Sequence, residues 1–222
     1  MEDSMKTAKR ILVWVILLIF TGMSAALAMK AAVGVSAWDA MSQSISMTTG
    51  IKIGTVAIGT NTLCVLLQLL LLRKNFRVRE LLQIPLTIAS GSVINFFYYD
   101  VFSAIAIKQY ILNVLLLILA YLILAFFISG VTVINVVIFP LEGFVSALSK
   151  KTGQSFGKLR LLVDVVCAAI SLGLTFLFSL QFTIREGTLL GMVMLGPLIG
   201  VFIKWLVPVI KRMGLLVESD RD

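Results

Sequence analysis

Six long apolar runs divide this sequence, and each is long enough to cross a bilayer as a helix. They cover about Ile11–Val33, Gly54–Leu72, Leu81–Tyr98, Tyr110–Ile134, Leu159–Phe178 and Gly187–Pro208. At about 1.5 Å rise per residue, roughly twenty residues cross the ~30 Å hydrocarbon layer. With six such runs in 222 residues, no length remains for a soluble domain, and residues 1–222 read as one integral membrane domain ending in a cytoplasmic tail over 209–222. Composition agrees: 59% of residues are apolar and only 14% charged, with a mean hydropathy of +1.05. A soluble domain would be about half apolar and a quarter charged. The basic start, apolar core and Ala26-Leu27-Ala28 also have the form of a cleavable signal peptide. The apolar run continues past that point, so it is read as the first span.

The formal charge is +8, and its distribution sets an orientation. Cytoplasmic loops of membrane proteins are enriched in Lys and Arg. With the N-terminus inside, nearly all cations fall on the inside connections, and the outside keeps Lys30, Lys52, Lys108 and Arg185. Both termini are therefore expected in the cytoplasm. The charge does not point to nucleic acid, because no basic face is interleaved with aromatics on a soluble element.

Two shorter stretches interrupt the runs, Ala37–Gly54 and Pro140–Gly157, and a register of 103 residues aligns them. It pairs Asp39 with Glu142, Ser46 with Ser149, Thr49 with Thr152, Gly50 with Gly153 and Gly54 with Gly157. It continues into the next runs, pairing Asn61 with Asp164 and Cys64 with Cys167, and drifts by two or three residues further on, where Arg79-Glu80 resembles Arg185-Glu186. Ordered polar and glycine matches in one register indicate an internal repeat. Repeat 1 covers about 11–100 and repeat 2 about 110–208. Each holds three spans with a short piece after the first, and an odd number of spans inverts the second copy. The expected fold is all-α: six transmembrane helices in two inverted-topology three-helix repeats.

Each short stretch carries helix punctuation. Ser36 reads as an N-cap with Asp39 at the third helical position, a capping box. Pro140 suits a first helical position, again with an acid, Glu142, two residues on. Gly50 and Gly153 sit where a left-handed residue would end each helix. Apolar residues recur at helical spacing, so each stretch reads as a short amphipathic helix, either flat on the surface or re-entrant.

The pattern Gly34-Val35-Ser36-Ala37-Trp38-Asp39, then Thr49-Gly50 and Gly54, resembles the YczE/YyaS/YitT family of bacterial multi-pass membrane proteins, in particular its YczE/YyaS branch. The resemblance covers nearly the whole chain. In that family a Pro often precedes the Trp-Asp pair. Here the position is Ala37, while the second stretch keeps Pro140. The resemblance implies a plasma-membrane protein, with small-molecule or antibiotic export suggested for some members. It supplies no substrate.

The candidate pathway residues are Asn61, Asp164, Asp39, Glu142 and Trp38. An ionisable residue inside a span is costly and usually faces the protein interior, which singles out Asp164 and its partner Asn61. Against this, Arg160 lies one turn before Asp164 and would form an i, i+4 pair. Asp39 and Glu142 read first as helix caps and otherwise as gates or cation and proton sites at the two mouths of a pathway, and Trp38 as an interfacial anchor. Ser36, Pro140, Gly50, Gly54, Gly153 and Gly157 are structural. There is no histidine, and Cys64 and Cys167 lie within apolar runs, so neither metal nor cofactor is expected. With no clustered carboxylates the chain does not read as an enzyme. The expected partners are the lipid bilayer and an unknown small molecule. Gly191, Gly196 and Gly200 suit close helix packing and would admit a homo-oligomer. The reading is a small-molecule secondary transporter, with a non-transporting accessory or ligand-binding subunit as the alternative.

Overall fold

The structure, a computed structural model, describes residues 2–215. The tail expected over 209–222 lies outside the described residues from 216 onward. Among the described residues there is no strand, and eight α-helices follow one another: α1 (Glu2–Lys30), α2 (Ala37–Thr49), α3 (Ile53–Leu72), α4 (Gln83–Asn95), α5 (Tyr110–Ile134), α6 (Pro140–Thr152), α7 (Phe156–Phe178) and α8 (Glu186–Arg212). Six are long and apolar enough, with flanking turns, to cross a membrane. In hydrocarbon no water can satisfy a backbone amide, so a continuous helix is the economical form for such a run. The two short helices have 13 residues each.

Helix boundaries differ from the apolar runs in instructive ways. α1 begins at Glu2, so the polar lead is helical, and it stops at Lys30, before a left-handed bend at Ala32 (φ 53°). The third span is composite. A 3₁₀ turn at Val78–Leu82 leads into α4, and a π turn at Phe96–Val101 follows it, closed by the Phe102 N–H donating to the Phe97 carbonyl at 2.7 Å. Pro85 is the third residue of α4, where a missing N–H costs little. Pro208 does not end α8, which continues to Arg212.

The bundle has two ends. At one, the Arg10 guanidinium donates to the Ile134 carbonyl at 2.8 Å, placing the start of α1 beside the end of α5. At the other, the Gly187 N–H donates to the Val33 carbonyl at 2.9 Å, and the Lys30 ammonium lies 4.3 Å from the centre of the Tyr98 ring. α5 packs between α1 and α8, and α3 packs on α4. Gly54 and Gly91 let α3 and α4 come very close: a methyl on either would meet the other's carbonyl oxygen. Asn95 ties the same contact, accepting from the Gly54 N–H at 2.8 Å and donating to Thr55 Oγ1 at 3.1 Å.

The short helices pack crosswise. α2 lies against α7, and α6 against α3. Ala37 and Met41 pack on Cys167, half-way along α7, while Leu141 and Val145 pack on Cys64, half-way along α3.

Candidate functional site

Two cavities open at opposite ends of the bundle. The cavity at the Lys30 end has a volume of about 490 Å³. Met29, Val35, Met47 and Phe182 give it apolar walls, and Gln43, Gln181, Thr183 and Arg185 its polar groups. Three hydroxyls close a buried triangle behind Thr183: Ser44–Ser171 at 2.9 Å, Ser171–Thr183 at 2.7 Å and Ser44–Thr183 at 3.1 Å. This triangle joins α2 to α7. Arg185 donates to the Ala32 carbonyl at 2.9 Å and so holds the left-handed bend after α1.

The cavity at the Arg79 end has a volume of about 230 Å³. Its inner wall is a reciprocal amide pair, with Gln68 Nε2 donating to Gln83 Oε1 at 2.9 Å and Gln83 Nε2 to Gln68 Oε1 at 3.1 Å. Gln68 also donates to the Pro140 carbonyl at 3.0 Å, joining α3 to the start of α6. These glutamines are 1% and 2% exposed, so each amide needs the other. Gly143 faces this pair, and a methyl there would meet Gln68 Oε1 at 2.5 Å. Arg79 donates to the carbonyls of Asn135 and Val136, the first at 2.8 Å, and so holds the left-handed bend after α5 (Asn135, φ 48°). Arg77, Glu80 and Lys150 complete the charged lining.

Between the cavities lies a packed middle. Trp38, partly buried, packs with Leu141, Val145 and Cys64 on one side and with Ala37, Met41 and Cys167 on the other. Charge gathers around it. Arg160 and Asp164, on α7, form an ion pair of 2.6 Å, and both act electrostatically on Asp39 at the start of α2 and on Glu142 at the start of α6. Of these carboxyls, only Asp164 touches the Arg160 guanidinium; the Asp39 carboxylate instead accepts from the Ser36 hydroxyl. Among the described residues no three of His, Cys, Asp or Glu are placed to hold a metal ion.

The other residues singled out in the sequence are placed as follows. Ser36 is the N-cap of α2: its hydroxyl accepts from the Asp39 N–H at 3.2 Å and donates to Asp39 Oδ2 at 2.7 Å. Pro140 is the first residue of α6. Gly50 (φ 74°) and Gly153 (φ 71°) end the short helices in the left-handed region. Gly157, in the first turn of α7, has open space around it, unlike Gly54. Asn61 is partly buried on α3, and neither Asn61 nor Asp164 lines either of these two cavities.

The sequence reading missed Gln68, Gln83 and the hydroxyl triangle. A signal was there: Gln68 is a polar residue deep in an apolar run, and the register of 103 pairs it with Ser171.

Residues 8–204 match a protein family described as a family of unknown function (DUF6198). No curated protein and no solved structure matches the chain.

Proposed function

The chain belongs to the DUF6198 family of unknown function, and we propose that it is a small-molecule secondary transporter of the bacterial plasma membrane, built from two inverted repeats that rock against each other. One observation carries this reading. Ala32, Gly34, Val35, Gln43 and Met47 line the cavity at the Lys30 end, and the residues 103 later, Asn135, Val137, Ile138, Ser146 and Lys150, all line the cavity at the Arg79 end. A register read from polar and glycine residues thus reappears in which residues enclose space. The paired αL bends, paired arginine clamps and crosswise short helices support the same pseudo-two-fold relation.

In this reading α2 and α6 are re-entrant. Their first turns reach mid-membrane, at Cys167 and Cys64, and their C-terminal glycines return to opposite surfaces. The Arg79 end faces the cytoplasm, because it gathers Arg10, Arg73, Lys74, Arg77, Lys150 and Lys151. The family resemblance of the Trp38-Asp39 motif supports the bacterial membrane setting. Asp39, Glu142 and Asp164, with Arg160 paired to the last, form the coupling group, and protonation of Asp164 relieves its repulsion of the other two. Rocking exposes this group to one cavity and then to the other.

The test needs no substrate. Single cysteines at Gln43→Cys and Ser146→Cys, in a chain with Cys64 and Cys167 replaced by Ala, are labelled in sealed vesicles with a membrane-impermeant thiol reagent. The two sites are expected to react from opposite faces, with rates that move in opposite senses when a pH gradient is imposed. Asp164→Asn is expected to abolish the pH response. Labelling of both sites from one face would overturn the topology. Rates that ignore the gradient in the parent protein would overturn the coupling.

A further inference from the structure

The cavity at the Arg79 end is unlike its counterpart in charge. At the Lys30 end, Arg185 is the one charged lining residue, and it is already bonded to the Ala32 carbonyl and 3.6 Å from Glu186. At the Arg79 end, Arg77, Glu80 and Lys150 line the space, and among the described residues none of their side chains has an ion-pair or hydrogen-bond partner. Glu80 is the unusual member. Its Oε2 is buried, yet it accepts no hydrogen bond. Buried carboxylate oxygens are normally paired, because the lost hydration is otherwise uncompensated. The adjacent Arg79 is occupied by the carbonyls of Asn135 and Val136. The cavity therefore holds a buried acceptor that no donor among the described residues meets, together with two exposed cationic side chains that no anion among them meets.

From this we infer that the cavity at the Arg79 end binds a small zwitterion, an aliphatic α-amino acid, with its ammonium on Glu80 and its carboxylate on Arg77 and Lys150. The inference rests on the transporter reading and supplies its substrate class. The rest of the lining suits such a ligand. Leu72, Val137 and Ala147 give an apolar wall for an aliphatic side chain, and about 230 Å³ admits one such molecule and little more. A ligand carrying only a carboxylate would leave Glu80 unpaired beside it. A ligand carrying only an ammonium would face two uncompensated cations. Each loses a charge-assisted hydrogen bond, which costs about tenfold or more in affinity.

Three probes with one carbon skeleton separate these cases: leucine, 4-methylpentanoate, which lacks the ammonium, and 3-methylbutylamine, which lacks the carboxylate. Binding is measured by titration calorimetry on the full chain in nanodiscs. Leucine is expected to bind at least about tenfold more tightly than either single-charge probe. Glu80→Gln is expected to erase its advantage over 4-methylpentanoate while leaving the latter's affinity in place. The retained carboxylate binding shows that the variant is folded. The comparison of probes on the unaltered chain stands without any variant. Equal binding of leucine and 4-methylpentanoate, with Glu80→Gln silent, would make this an anion site and overturn the inference. So would equal binding of leucine and the amine, or no binding of any probe. None of these outcomes touches the transport reading, which the labelling of Gln43→Cys and Ser146→Cys decides separately.

Discussion

Gly54 and Gly157 occupy the same place in the 103-residue register, yet the structure treats them differently. A methyl at position 54 would press on the Gly91 carbonyl and the Asn95 side chain, whereas position 157 is open. Gly54→Ala is therefore expected to cost about 1–3 kcal/mol through overpacking. Gly157→Ala is expected to be neutral or to stabilise by up to about 1 kcal/mol, since alanine is the better helix former. Thermal unfolding in detergent checks both, and equal shifts would contradict the close α3–α4 contact.

The two short helices are held to their crossing partners by polar groups of different kinds, and the difference has consequences. α6 is tied to α3 by Gln68, which serves both Gln83 and the Pro140 carbonyl. Gln68→Leu strands both partners, at a cost of about 1–3 kcal/mol for unsatisfied buried groups. α2 is tied to α7 by three hydroxyls in mutual contact. Ser171→Ala leaves Ser44 and Thr183 still bonded to each other, so the loss should stay near the ~0.6 kcal/mol average for polar contacts between membrane helices. Hydrogen exchange is expected to quicken over 140–147 in the first variant and to change little over 37–44 in the second. The ends of these helices were legible in the sequence, because a cap is a contact between near neighbours: Ser36 with Asp39, Gly50 with Ser46, Gly153 with Ser149. What they lie against was not legible. Ser44 meets Ser171 across 127 residues, and Gln68 meets Pro140 across 72.

Across the whole molecule, each end is clasped by an arginine on the left-handed bend that follows a long helix. The clasps are unequal. At one end both Arg79 and Arg10 donate to the Asn135 carbonyl, while Arg185 alone holds the Ala32 carbonyl among the described residues. Arg185→Ala should therefore raise the labelling rate of Gln43→Cys more than Arg79→Ala raises that of Ser146→Cys. A reversed order would mean that the clasps do not govern access to their own cavities. The sequence by itself determined the helical class, the six long apolar helices, the ends of the two short ones and the register of 103. These depend on hydrophobic runs and on bonds that span a few residues. Only the tertiary structure decided which helix each short one crosses, and that Arg160 and Asp164 come near enough to act on both Asp39 and Glu142. It also decided that Gln68 and Gln83 pair, and that Glu80 Oε2 meets no donor among the described residues within a cavity. Each of these depends on where distant segments meet, and long apolar helices have many nearly equivalent faces to offer, so the faces that meet are chosen by close packing and the few polar groups they must satisfy.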